Sequence, residues 1–266
     1  MTSLIDGFSS IVRQSIMSYK ALFSWVDPKK YVLLRIINPL LQLTFYCLLA
    51  KYAFNSVDIT PWVIGNSFLL CTTNVFFGMG YILQEERLFG TLKMIMVAPM
   101  NKFFIFVGRG IIYSANSLFT VIIGLIFGSL VFGVSFKNVN IMLFFLIILV
   151  AMFAASGLGL LISSFGLITR DINLILNTGS VMLLALTGAN FPINELPIFL
   201  QKISYCIPIT RSIAAGNIML QHGDMSIVYN LIFQELLVGI IYTVLGYLML
   251  RVMDYMSRRK ATLDIY

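Results

Sequence analysis

Residues 84–99 read QEERLFGTLKMIMVAP and hold the densest cluster of charge ahead of the C-terminal tail. Glu85, Glu86, Arg87 and Lys93 accompany a short apolar series. Leu88, Leu92, Ile95 and Met96 fall at i, i+4, i+7 and i+8, one face of a helix. Glu85 and Glu86 would then stand at its N-terminal end, where the helix dipole favours negative charge, and Pro99 would stop it. A helix of about 14 residues is too short to cross a bilayer. The chemistry on offer is recognition rather than catalysis: a surface helix, either solvated or docked on a partner.

Other chemistry has less support in the residues. A phosphate-cradling loop needs a glycine-rich turn ending in Gly-Lys-Ser/Thr. Gly-Lys never occurs, and no lysine precedes Ser or Thr. The single histidine, His222, has no second histidine or Ser/His pair to support a metal or hydrolytic site. Cys47, Cys71 and Cys206 form no Cys-x-x-Cys pair and read as small buried hydrophobes. Arg35 and Glu235 are single ionisable residues in apolar stretches, and Glu235 with Gln234 reads as a structural partner for an external or intramembrane polar group. Ion-coupled carriers usually show paired carboxylates or histidine chains at membrane depth.

The elements that must position these residues are membrane helices. The chain has 266 residues, 59% hydrophobic and 11% charged, against about 25% charged in a soluble domain. Stretches of about 20 apolar residues, enough to cross a bilayer, fall at roughly 31–50, 62–83, 103–132, 141–164, 172–190 and 229–251. Six crossings place both termini on one side. Lys51, Lys137, Lys202 and Arg211 lie on the other side; the remaining fourteen of the 18 Lys and Arg lie on the first. That excess makes the first side, with 84–99 and the loop 165–171, cytoplasmic. The same bias accounts for the net charge of +7 without nucleic acid.

The first 30 residues carry Arg13, Lys20, Lys29 and Lys30 and no unbroken apolar run, so no secretory signal is expected there. Leu4, Phe8, Ile11, Val12, Tyr19 and Leu22 predict an amphipathic helix within 1–27, lying on the membrane surface. Pro192, Pro197 and Pro208 divide the apolar stretch 191–228 into pieces too short to span. Two short helices, about 195–205 and 209–220, are expected as a re-entrant external cap. The fold class is therefore all-α and integral to the membrane, one domain over 1–266: interfacial helix 1–27, six-span bundle 31–251 and cytoplasmic tail 252–266.

Polar stripes run along two spans. Asn66, Thr73 and Asn74 lie on the second; Asn173, Asn177, Ser180 and Thr187 lie on the fifth. Such stripes face a partner, a cavity or another helix, not lipid. Arg35, Asn38 and Gln42 form another on the first span. Gly124-x-x-x-Gly128 and Ala151-x-x-x-Ala155-x-x-x-Gly159 are small-residue stripes for close packing.

Glu86-Arg87-Leu88-Phe89-Gly90-Thr91-Leu92 followed by Ala98-Pro99, after a second span, resembles the E-R-x-x-G-T-L…P segment of ABC-2 type transporter permeases. Phe191-Pro192…Leu196-Pro197…Leu200-Gln201…Ile207-Pro208-Ile209-Thr210 is similar to their last external segment. Lys93 stands where many members carry an acidic residue. The resemblance spans essentially the whole chain and implies a half-transporter of the type V, ABCG-like fold. Two permease chains, identical or paralogous, would pair in the lipids of a bacterial cell membrane. Two separate ATPase subunits would dock beneath, and ATP and Mg would bind there, not on this chain.

The resemblance makes 84–99 a coupling helix between spans two and three, with Glu85, Glu86, Arg87, Leu88, Gly90, Thr91 and Leu92 at the ATPase contact. Arg170 and Asp171 would give a weaker second contact. The polar stripes on spans two and five would line the substrate path. The implied cargo is a drug, an antibiotic or a lipid, with a polysaccharide as the alternative. On that basis Glu86→Lys would uncouple ATP hydrolysis and leave the chain folded. A rival of another class is an ion-coupled carrier using Glu235; a second is a membrane scaffold that moves no cargo.

Overall fold

The computed structural model describes residues 33–54, 58–92, 94, 102–136, 139–167, 169, 171–221 and 223–259. The helix expected within 1–27, the tail beyond 259, residues 95–99 and Arg170 lie outside these. Among the described residues every regular element is helical. A π-helical turn, Leu33–Ile37, leads into α1, Asn38–Phe54. Then come α2, Thr60–Leu88; α3, Lys102–Phe132; α4, Ile141–Phe165; and α5, Asn173–Leu186. A 3-10 turn, Ile193–Glu195, precedes α6, Ile198–Cys206, and α7, Thr210–Leu220. The last helix, α8, is Met225–Arg259.

Short polar side chains start four of the helices. Asp58 Oδ1 accepts from Thr60 N at 2.9 Å, and a proline follows in the first turn of α2. Asn140 Oδ1 accepts from Met142 N and Leu143 N at the head of α4. Asp171 Oδ1 does the same for Asn173 N, and Asp224 Oδ1 for Ser226 N. Asp171 is thus committed to the start of α5.

Among the described residues four helices, α2, α3, α4 and α8, are long and apolar enough to cross a membrane. At 1.5 Å per residue, α5 covers roughly 21 Å, short of the ~30 Å hydrocarbon core. It ends at Leu186, where the chain bends through Gly188 at φ +80° instead of continuing to residue 190.

The buried core runs along α2. Phe68, Leu69, Val75, Phe76 and Ile82 meet Ile147 and Met152 of α4, Leu176 of α5 and Ile213 of α7 in one cluster. The closest helix pairs are α4 with α8, α4 with α2, and α2 with α3. The α4–α8 crossing depends on Gly157. A Cβ there would stand 3.0 Å from Gly239 O and 3.0 Å from Thr243 N, both backbone atoms of α8. Gly157→Val is therefore expected to force the helices apart at a cost of about 1–3 kcal/mol. A thermal melt in detergent checks it. The two predicted stripes pack as small residues do: Gly128 and Gly124 face Val63 and Ser67, and Ala151 and Ala155 are buried.

Candidate functional site

The turn after α2 is built on one glycine. Gly90 has φ +70° with open space around it, a conformation that glycine reaches without steric cost. The chain closes there through Phe89 N to Glu85 O at 2.9 Å, Gly90 N to Arg87 O at 3.0 Å and Thr91 N to Glu86 O at 3.0 Å. Gly90 thus ends α2 and turns the chain.

This placement corrects where the expected helix starts; Leu92 and Met94, past the turn, are helical. Glu85, Glu86 and Arg87 form the last turn of α2, not the first turn of a separate helix. The apolar stripe divides as well. Leu92 is buried in the core, while Leu88 is 75% exposed and Phe89 56%. The left-handed turn at Gly90 redirects the chain beyond it, so residues 88 and 92 do not share a face.

Three of the charges are tied inward. Glu86 is buried; its Oε1 forms an ion pair with Arg109 Nη2 of α3, and its Oε2 accepts from Thr91 Oγ1. Arg109 Nη1 lies 3.6 Å from Glu85 Oε2, which also accepts from Tyr113 Oη at 3.2 Å. Arg87 turns the other way. Its Nη1 donates to Thr169 O and its Nη2 to Leu167 O, each at 3.0 Å, using the planar fork of guanidinium. The turn therefore binds the end of α2 to α3 on one side and to the α4–α5 loop on the other. Its outward side is apolar: Leu88 and Phe89, with Met94 also exposed.

Arg109 and Tyr113 were not among the residues singled out from the sequence. The signal was present: an arginine eight residues into an apolar helix needs a buried anion. Glu85 and Glu86 stand at the end of the preceding span.

The polar stripes separate into two groups. Thr73 and Asn74 of α2, Ser180 of α5, and Asn38 and Gln42 of α1 line a cavity of about 210 Å³ between the three helices. The others do not reach it. Asn66 is buried, donating to Trp62 O at 2.9 Å and to Asn190 Oδ1 at 3.1 Å. Asn173 accepts from Tyr81 Oη. Thr187 is buried and donates to Leu183 O at 2.6 Å, and Asn177 is exposed. Asn66→Leu leaves Asn190 Oδ1 without its donor and is expected to cost about 1–3 kcal/mol. A lowered melting temperature, with the cavity residues intact, checks that Asn66 is structural.

Near the other end of α2, α8 meets the chain between α6 and α7. Glu235 is fully buried, and its Oε1 accepts from Ile209 N at 2.5 Å. Arg211 Nε donates to the neighbouring Gln234 Oε1 at 3.1 Å.

Comparison with known proteins gives the family. Two Escherichia coli proteins, from strains K12 and O157:H7, share 23% identity over 171 residues, 64% of this chain and 46% of theirs. Each carries the name probable multidrug ABC transporter permease YbhR. The chain spans about half the length of these relatives. The family described as ABC-2 type transporter matches residues 13–219, from ahead of α1 through nearly all of α7. With that match covering most of its length, the chain is a multi-pass membrane protein of the ABC-2 type transporter family.

Proposed function

We propose that this chain is the membrane subunit of an ATP-driven exporter. It pairs with a second permease chain, identical or paralogous, above two ABC ATPase subunits that bind ATP and Mg. The observation that carries this is the turn at Gly90. The turn is tied to α3 by Glu86 and Arg109 and to the α4–α5 loop by Arg87, so it couples the end of α2 to both. Its apolar tip, Leu88 and Phe89, is free for a partner. A push on that tip from an ATPase cleft reaches the helices as rigid displacement.

In this reading there are six crossings, with α1 (continued by the turn at 33–37) and α5 added to the four long helices. Both termini and the Gly90 turn are cytoplasmic, in a bacterial cell membrane. Helices α6 and α7 form a re-entrant hairpin at the outer leaflet. Thr73, Asn74 and Ser180 belong to the substrate path. The cargo is lipophilic or amphipathic. An apolar cavity of about 430 Å³ supports this, lined by Phe106, Ile111 and Leu118 of α3 and Met152 and Leu160 of α4, within the size of small-molecule sites.

Affinity purification of the tagged chain in mild detergent tests the proposal. A co-purifying protein with nucleotide-binding motifs, and cargo efflux that needs its hydrolysis, is the expected result. Recovery of the chain without an ATPase across several detergents and nanodiscs would reject it.

A further inference from the structure

Ile209 is the only non-glycine residue with positive φ, +86°, among those described. A β-branched side chain resists that conformation, so something must hold it. Ile209 is also the residue ahead of α7, and it offers no side-chain cap. The cap comes from another helix: the buried Glu235 carboxylate of α8 takes the Ile209 amide at 2.5 Å. A carboxylate at a helix N-terminus is favoured by the dipole.

Seven residues on, on the same face of α8, Tyr242 Oη donates to Cys206 O at 3.1 Å. Both side chains of α8 therefore grip the knuckle between α6 and α7. Within the hairpin, Thr210 Oγ1 donates to Ser204 O at 2.8 Å, so the knuckle holds its own shape. The carboxylate also faces the next amides of α7, those of Arg211 and Ser212, and the Arg211 charge.

A strained β-branched residue held by one buried carboxylate is a costly way to secure a static corner. An apolar contact with glycine at 209 would need neither the strain nor the buried charge. The same arrangement suits a contact that has to be released. We infer that Glu235 is the positioning residue of the external gate: its carboxylate clasps the α6–α7 hairpin to α8, and the hairpin moves outward when the clasp opens. The gating role rests on the exporter proposed above, whereas the clasp itself does not. Residue 235 lies beyond the family match, which ends at 219.

The test uses the full chain in lipid nanodiscs without any ATPase. Hydrogen exchange is followed on the peptide carrying the Ile209 amide. Labelling by a membrane-impermeant maleimide reports Cys206, because Cys47 and Cys71 are buried while Cys206, against the reading from sequence, is exposed. Glu235→Gln is expected to speed both about tenfold or more, as loss of a charge-assisted hydrogen bond implies. Peptides covering Ile147 and Met152 of α4 should keep their protection.

Unchanged rates at 206–209 would overturn the clasp. So would acceleration spread equally over α4, which marks general loosening. Should Glu235→Gln fail to accumulate, Tyr242→Phe removes only the second tie. A smaller rise confined to the knuckle then supports the clasp, and no rise overturns it. Failure of the exporter reading would show separately, as a chain that recruits no ATPase.

Discussion

Glu86→Ala is expected to cost about 3–5 kcal/mol, the penalty for leaving a buried charge unpaired. The physical cause is Arg109. Its guanidinium is nearly buried in α3 and pairs with Glu86, leaving only Glu85 at 3.6 Å once Glu86 is gone. Thr91 loses its carboxylate partner at the same time. A loss of that size approaches the whole stability of many domains, so the expected result is a sharp fall in the yield of monodisperse protein and in its melting temperature. Arg109→Met in the same chain should recover most of the loss, because an apolar pair of similar volume is often as stable as the ion pair it replaces. Glu86→Lys should be worse than Glu86→Ala, since it sets a second cation against Arg109. The buried pair therefore overturns the expectation that Glu86→Lys leaves the chain folded. Thermal melts of the three variants and the double variant check the set.

Leu88→Asp combined with Phe89→Asp should do the opposite: leave folding almost unchanged and abolish ATPase recruitment. Both side chains are more than half exposed, so the isolated chain loses little contact. Burying a leucine or phenylalanine against a partner contributes about 1.5–3 kcal/mol each. Two such losses, plus two carboxylates placed in an apolar cleft, lower affinity by roughly 10² to 10⁴-fold. Co-purification and ATP-dependent transport should vanish while the melting temperature stays within about 1 °C, as for surface changes. If recruitment survives, the apolar tip is not the contact.

The contrast between these two variants marks where the sequence was readable. Proline and glycine punctuation carried the hairpin, because Pro192, Pro197 and Pro208 act locally through φ and the missing amide hydrogen. The long apolar runs carried α2, α3, α4 and α8 for the same local reason: length and composition. Within 84–99 the start of the helix misled, because the i, i+4, i+7, i+8 pattern says nothing of the left-handed turn at Gly90, while residues 92 and 94 past that turn are helical. The partner of Glu86 lies 23 positions away on the next helix, and periodicity within one segment is blind to a tertiary pair. Glu235 stood out as a lone acid at membrane depth. Its role as a structural partner of a polar group was legible and holds, but the partner was not, because Ile209 offers a backbone amide, which no side-chain pattern records.

The substrate-path positions divided for a related reason. Asn66 and Ser180 both read as polar residues in apolar helices. Only the cross-helix partner Asn190 separates a satisfied core amide from a cavity-lining hydroxyl.

The Gly90 turn, in the proposed exporter, meets the ATPase through its apolar tip. The direct measurement of that contact is site-specific cross-linking from Leu88→Cys in a Cys206→Ser background, on the complex purified with its ATPase. A contact through the tip predicts a cross-linked band containing both polypeptides, changing in intensity between ATP-bound and nucleotide-free states and absent from a cysteine placed at exposed Tyr229 of α8. An intact complex in which position 88 stays freely reactive and forms no cross-link would contradict it.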